Sequence, residues 1–477
     1  MTIGKFAQFI LQFISLFLLV RLLKPEDFGI VSAAGVVISL AKLFSLIGVG
    51  PVLIQRPHIT KSHIKTGFTI TLIFSVACAS IIFFMSDFIA DLLNIKETSL
   101  VLKLITIIFI AKGFSTISES LIQRDMNFKI IIKIDIITFI LYSSSAILLA
   151  LLHFNYWALV LALIIQNVLK AILLYIYKPY PLKFQINKKE FKEFIFFGGG
   201  FTISKTANQL AKELDKLVVS RSFGAYTLGQ YDRAYQLLVA PANLFTKIID
   251  AVLFPAISKM QTQKEKIAYI YEMNLSLISF LTIPSSILMY YLAEEIVYAI
   301  YGSNWISIVP IFKILIIGLM FRTSYRISDS YIQALGLVYQ YSVIKIIYAF
   351  LILVGAWYGK NWGIEGVSIG VLLGILINYL LMTILTIKNL KISIKKLILA
   401  HKPVFYAILM AFLSIIIMEK ITSFLNLLFM IEILFTFGIY IIFLLLLYLF
   451  NSEKFYGEHF LWIKNQMMIP LRNFINK

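Results

Sequence analysis

Along the 477-residue chain, hydrophobic positions run in blocks of roughly 20 residues separated by short charged breaks. A block of that length crosses the hydrocarbon core of a bilayer as one helix. Reading blocks against breaks predicts fourteen membrane-spanning helices, at about 2–21, 30–52, 66–90, 99–122, 130–152, 156–177, 194–220, 231–255, 267–292, 307–333, 341–358, 363–387, 403–418 and 425–450. Spans seven, eight and ten are the most polar. Met1–Val20 holds Lys5 as its one charge and has no small-x-small cleavage pattern, so it reads as a span and not as a cleaved leader. It is short for a first helix, which points to a start a few residues upstream. No break exceeds about 15 residues, so no extramembrane catalytic domain is expected.

Composition supports this plan. The chain is 60% hydrophobic and 14% charged, where soluble domains carry about 25% charge. There is too little charge to coat the surfaces of a soluble multidomain enzyme. The single cysteine, Cys78, lies in an apolar run and reads as a small core residue.

The net charge of +19 (Lys+Arg 43 against Asp+Glu 24) would suggest nucleic acid in a soluble protein. Here its distribution suggests topology instead, and no nucleic-acid partner is expected. Even-numbered loops hold roughly twenty Lys and Arg, Lys133 and Lys345 counted among them, whereas odd-numbered loops hold roughly six. That alternation predicts a multi-pass protein with both termini in the cytoplasm, and the family resemblance given below implies the inner, cytoplasmic membrane.

The two halves carry matching punctuation. Arg21 and Gly29 follow span one, and Arg221 and Gly229 follow span seven. Pro51 pairs with Pro255, Ser120–Gln123 with Ser330–Gln333, and Trp157 with Trp362, each about 200 to 210 residues apart. The expected fold is therefore an all-α membrane protein of two six-helix bundles related by a pseudo-two-fold along the membrane normal. The expected domains are an N-terminal lobe at 1–177, a linker at 178–193 and a C-terminal lobe at 194–388. A cytoplasmic loop at 389–402, two added helices within 403–450 and a cytoplasmic tail at 451–477 complete the chain.

Ionisable groups inside spans are costly and mark sites by default. Lys205, Asn208, Lys212 and Asp215 share one face of span seven, with Lys216 beside them. Arg322, Arg326, Asp329 and Gln333 repeat the pattern in span ten. Span four carries Lys112, Thr116, Glu119 and Gln123, and span two carries Lys42. Together these are expected to line a cationic central cavity. Lys205, Asn208, Lys212, Lys216, Arg322, Arg326, Lys42 and Lys112 would bind an anionic substrate, and Asp215, Asp329 and Glu119 would serve coupling or ion pairing. The plainer reading of Lys112–Glu119 and Lys212–Asp215 is helix-locking ion pairs. No G-x-x-x-x-G-K-[ST] loop occurs, which argues against an ATPase. His58, His63, His153, His401 and His459 fall in or near loops without metal-ligand spacing and read as solvated or interfacial. Neither a cofactor nor a metal is expected, and nothing points to catalysis.

Several segments are similar to those of Wzx-type polysaccharide flippases, within the multidrug/oligosaccharidyl-lipid/polysaccharide exporter superfamily. They are Arg21-Leu22-Leu23-Lys24-Pro25-Glu26-Asp27-Phe28-Gly29, Leu53-Ile54-Gln55-Arg56, and Leu228-Gly229-Gln230-Tyr231-Asp232-Arg233-Ala234-Tyr235. Val252-Leu253-Phe254-Pro255-Ala256-Ile257-Ser258-Lys259-Met260-Gln261 carries the most weight, and Tyr301-Gly302-Ser303-Asn304-Trp305 and Gly363-Ile364-Glu365-Gly366-Val367 also fit. The resemblance runs to about residue 390. It implies translocation of undecaprenyl-pyrophosphate-linked oligosaccharide units by alternating access, with a polysaccharide polymerase as a further partner. A lipid II-type flippase or a multidrug exporter of the same superfamily remains an alternative, and a membrane glycan polymerase is the enzyme-class rival.

Overall fold

The computed structural model describes residues 2–446 apart from 47, 57, 260–262, 336, 394, 396–397, 399–400 and 425–428, with side chains also left out at 2–7, 9–10, 42–46, 195, 197–208, 244–259, 334, 338 and 423–424. Most of the described residues are helical, with no strand among them. Sixteen helices are used below: α1 (Thr2–Leu22), α2 (Pro25–Leu46), α3 (Val49–Gln55), α4 (Lys61–Leu93), α5 (Thr98–Arg124), α6 (Phe128–Leu151), α7 (Tyr156–Tyr177), α8 (Lys188–Lys259), α9 (Lys264–Tyr291), α10 (Ala293–Tyr301), α11 (Val309–Ile316), α12 (Leu319–Ala334), α13 (Val338–Gly359), α14 (Gly363–Leu390), α15 (Lys402–Phe424) and α16 (Phe429–Leu446). Helix occupies most of each predicted interval where it is described. Among the described residues, eight stretches are long and apolar enough to cross a bilayer, or nine if the bent pair 303–316 and 319–333 counts as one. One of the eight, Tyr339–Leu390, is a hairpin. It reverses at Gly363, whose φ of 76° suits a residue without Cβ.

Backbone breaks divide two predicted blocks, and a third break joins two. Span two splits into α2 and α3 at Gly48, which sits in the left-handed region at φ 60°. Span ten bends by 49° between its halves. There Gly318 N–H donates to Leu315 O, so one turn tightens before the polar α12 begins. Spans seven and eight form one helical stretch, α8, that reverses at Gly224 (φ 78°, ψ −172°) instead of through a loop.

The chain forms two compact units, residues 1–232 and 233–477. In the first, α4 packs on α5, α6 on α7, and α2 against both α4 and α5. Its core is built from Val49, Leu53, Phe68, Ile117, Tyr180 and Phe194. The Arg21–Gly29 segment has a local logic. Pro25 opens α2 where its missing N–H costs nothing, and the Asp27 carboxylate accepts the Lys24 N–H. One turn later Gly29 meets the second arm of α8. A Cβ at Gly29 would fall 1.8 Å from Ala225 O, and a Cβ at Gly229 would fall 1.8 Å from Pro25 O. The repeated glycines of the sequence thus face each other reciprocally, and only glycine permits that backbone approach.

In the second unit α13 packs on α14, α12 on α9 and α14, and α15 on α9. Its core joins Ile267, Tyr271, Leu275, Ile327 and Tyr331. Large exposed apolar side chains such as Phe84, Phe88, Ile140, Phe350 and Leu434 ride the outer faces of the spans. On a soluble protein they would aggregate; on a membrane-spanning chain they face lipid.

Candidate functional site

Each unit encloses a charged cluster inside its apolar helices. In the first unit the cluster is a chain of ion pairs across α5, α6 and α7. Glu119 lies 3.9 Å from Lys112 Nζ and 3.8 Å from Lys170 Nζ, and Lys170 reaches Asp135 at 2.6 Å. The four side chains are half-buried. Lys112 and Glu119 can meet because they are seven residues apart on α5, two turns along one face. Two cations face two carboxylates, so the cluster is neutral within itself.

The first arm of α8 adds a second set. The Asp215 carboxylate, 1% exposed, accepts the Lys216 N–H at 2.9 Å and the Tyr231 hydroxyl at 2.8 Å. Lys216 Nζ pairs with Asp232 at 2.7 Å and with Glu213 at 3.7 Å. Tyr231 and Asp232 lie beyond the Gly224 reversal, so Asp215 and Lys216 tie the two arms of α8 together. Lys212 is half-buried on the same arm. Lys42 lies on α2, and Lys205 and Asn208 lie on α8; their side chains fall outside the described residues.

The cluster of the second unit is organised by tyrosines. Arg322, 3% exposed, donates to Tyr235 Oη at 2.6 Å and stacks over that ring at 4.9 Å. Arg326 donates to Asn243 Oδ1 at 2.7 Å and is half-buried. Asp329 pairs with Lys345 Nζ at 2.9 Å. Lys345 is 1% exposed, and its ammonium sits over the rings of Tyr325 at 4.6 Å, Tyr341 at 5.3 Å and Tyr348 at 5.8 Å. Ring quadrupoles and one carboxylate replace the hydration that the ammonium gave up.

The structure corrects two expectations. Lys345 was counted with the cytoplasmic loop charges, but α13 carries it fully buried against Asp329. A single lysine near a block edge does not alter block hydropathy, so the pattern could not tell loop from core. His63 was expected in solvent or at the interface. It is buried at the start of α4, where Thr60 Oγ1 accepts the His63 N–H at 3.3 Å and the imidazole contacts Thr60, Arg56 and Glu190. That contact belongs to a tie between α4 and the start of α8. Ser62 and Thr66 donate to Glu190 at 2.8 and 2.9 Å, and Arg56 pairs with Glu193 at 2.6 Å.

Asp135, Lys170, Lys345, Glu213 and Tyr235 were missed as cluster members. Asp135 and Lys170 are ionisable groups inside spans five and six, and the rule that flagged Glu119 reaches them too. They lacked a stripe of polar neighbours. Tyr235 carries no such signal, because a tyrosine in an apolar span reads as packing.

This fold, polytopic and all-helical with charged clusters inside its spans, is of the kind found in flippases and multidrug exporters. It is similar to a structure described as lipid II flippase MurJ in an inward closed conformation, with a TM-score of 0.76, 17% identity and coverage of 94% of this chain and 98% of that one. It is also similar to an inward-facing multidrug resistance MATE family transporter, with a TM-score of 0.66, 13% identity and coverage of 80% and 94%. The family described as "Polysaccharide biosynthesis protein" matches residues 18–310. The chain belongs to that family. The lipopolysaccharide biosynthesis protein WzxC of Escherichia coli (strain K12) is 26% identical over 395 residues, covering 79% of this chain and 77% of WzxC. The succinoglycan biosynthesis transport protein ExoT of Rhizobium meliloti (strain 1021) is 24% identical over 334 residues, covering 70% and 68%. The chain is thus a multi-pass membrane protein of a transporter class concerned with polysaccharide biosynthesis.

Proposed function

We propose that this protein flips undecaprenyl-pyrophosphate-linked oligosaccharide units from the inner to the outer face of the cytoplasmic membrane for surface polysaccharide assembly. It does so with fourteen spans, both termini cytoplasmic, as two six-helix lobes at 1–177 and 194–388 that alternate access about a cationic path. The linker at 178–193 joins the lobes, the helices within 403–450 are additions after the loop at 389–402, and 451–477 is a cytoplasmic tail. A polysaccharide polymerase receives the product.

The observation that supports this reading is the cationic balance of the second unit's cluster, where Arg322, Arg326 and Lys345 face a single carboxylate, Asp329, inside apolar helices. A pyrophosphate needs such a lining to leave water, and its lipid tail needs none. The proposed site residues divide by what holds them. Asp215, Lys216, Asp329 and Arg322 are committed to contacts that fix α8 and α12, which suits positioning residues. Arg326, Lys212 and Lys112 are only partly buried and suit direct contact with the cargo, together with Lys42, Lys205 and Asn208. Glu119, shared between Lys112 and Lys170, suits coupling, because a carboxylate between two lysines can release either one to an incoming anion.

The decisive test is complementation of a flippase-deficient strain. Arg326→Gln is expected to abolish surface glycan at normal protein level and to accumulate lipid-linked units on the cytoplasmic side. Unchanged export would reject the assignment of Arg326, and normal glycan in a strain lacking the whole protein would reject the function. Arg322→Lys separates positioning from contact: it keeps the charge but loses the planar stacking on Tyr235, and a partial loss is expected.

A further inference from the structure

A second basic site lies apart from the charged clusters, where several helices end. The start of α4, the end of α5 and the end of α7 meet the segment 178–183 around a cavity of about 630 Å³. Five of its lining side chains are cationic (Lys61, Lys65, Arg124, Lys178 and Lys183), and one, Asp125, is acidic. Asp125 is already engaged by Lys178 at 2.6 Å. Lys61, Lys65 and Lys183 make no hydrogen bond or ion pair among the described residues.

The pocket walls are held before any ligand arrives. Arg124 is fixed by donation to Leu53 O at 2.8 Å and to further carbonyls that end α3. Tyr180 forms the floor: its hydroxyl donates to Phe114 O at 2.6 Å and its ring packs on Phe68. Asn187 N–H and Gln185 N–H donate to Thr66 and Thr69 of α4, which pins the segment beyond it. Three unpaired lysines therefore converge on a preformed hollow and repel each other unless an anion sits between them. Large apolar side chains beside the pocket (Ile176, Tyr177, Leu182 and Phe184) are exposed. They stand near the ends of α4, α5 and α7, and the ends of spans of this length are where lipid headgroups are expected.

We propose that this pocket binds a phosphate group, carried by an anionic phospholipid whose acyl chains lie along Ile176, Leu182 and Phe184. Phosphate chemistry follows from the lysines and Arg124. The apolar flank favours a phosphate on an acyl chain over a free one, since a soluble ion gains nothing from it. The bound headgroup would bridge Lys61 and Lys65 of α4 to Lys183 of the following segment. The site stands independently of what the protein transports.

The test uses the purified full chain in neutral detergent, with lipid binding followed by native mass spectrometry and by thermal shift. Short-chain phosphatidylglycerol is the probe, phosphatidylcholine the zwitterionic control and inorganic phosphate the free-anion arm. Phosphatidylglycerol is expected to bind at least about tenfold more tightly than phosphatidylcholine. A triple variant with Lys61→Gln, Lys65→Gln and Lys183→Gln is expected to lose that preference, at about fivefold per lysine. Removing equal charge elsewhere, with Lys129→Gln, Lys133→Gln and Lys188→Gln, is expected to leave it intact. If the pocket triple does not fold, Lys183→Gln alone, on an exposed segment, is expected to weaken the probe about fivefold. Retained preference in the folded pocket variants, or an equal loss in the control triple, overturns the site. Equal protection by inorganic phosphate at the same concentration overturns the lipid assignment.

Discussion

The two charged clusters solve one problem in opposite ways. In the first unit, Lys112, Glu119, Lys170 and Asp135 balance charge with charge, are half-buried, and include two contacts near 4 Å. In the second unit Arg322 and Lys345 are sealed, and tyrosine rings supply most of what surrounds them. A loose carboxylate network can exchange partners at little cost. A cation packed among rings cannot, because moving it exposes an unbalanced charge to a dry interior. On the proposed function, the first cluster suits rearrangement and the second suits fixing the face of α12 that carries Arg326.

The sharpest way to break this comparison is Lys345→Met. It removes the fully buried cation that pairs with the half-buried Asp329, and breaking such a pair costs about 3–5 kcal/mol. Loss of folded protein, or a large fall in the unfolding temperature in detergent, is expected. Restoring stability with Asp329→Asn in the same chain would tie the loss to the stranded charge. Lys345→Arg comes next. The longer, planar side chain must enter a space closed by three tyrosines, and overpacking of that kind costs about 1–3 kcal/mol. A stable Lys345→Arg protein would mean the tyrosine cage is looser than its geometry implies.

Much of this contrast could not be read from the sequence, for physical reasons. Apolar blocks locate helices because burial in lipid acts on averages over about 20 residues. The same averaging hides Gly48, Gly224 and Gly318, where one residue redirects the backbone, and it hides Lys345, one charge near the edge of an apolar block. Gly29 and Gly229 were legible as special positions because a close backbone approach tolerates no other residue there. The α12 stripe was legible as spacing, but its meaning was not. Arg322 and Arg326 look alike one turn apart, and only their partners, Tyr235 in one case and Asn243 in the other, tell a sealed residue from an accessible one. Asp135 and Lys170 were within reach of the rule that flagged Glu119 and were passed over for want of polar neighbours.

Glu119→Gln tests the looser cluster. It removes the charge shared by Lys112 and Lys170 but leaves the 2.6 Å pair between Lys170 and Asp135 in place. Both lost contacts are near 4 Å and Lys170 keeps its pair with Asp135, so less is lost than when Lys345 is removed from Asp329. The unfolding temperature is therefore expected to move little while glycan export falls strongly. A large loss of stability would make Glu119 a structural lock like Asp329, and the two clusters would no longer differ in kind.

The smallest expected effect is Lys170→Arg, the counterpart of Lys345→Arg. Lys170 is half-buried and has a carboxylate on either side, Asp135 at 2.6 Å and Glu119 at 3.8 Å. A guanidinium offers five donors in a plane and can serve both carboxylates at once. With room at the exposed edge, its bulk has somewhere to go. Stability is expected to stay within about 0.5 kcal/mol of the parent, as for substitutions away from sealed sites. Export is the more telling measurement. If Glu119 must release a lysine during transport, a tighter Arg–carboxylate pair should slow export while leaving the unfolding temperature unchanged. Normal export by Lys170→Arg would mean that Lys112, and not Lys170, is the partner Glu119 gives up.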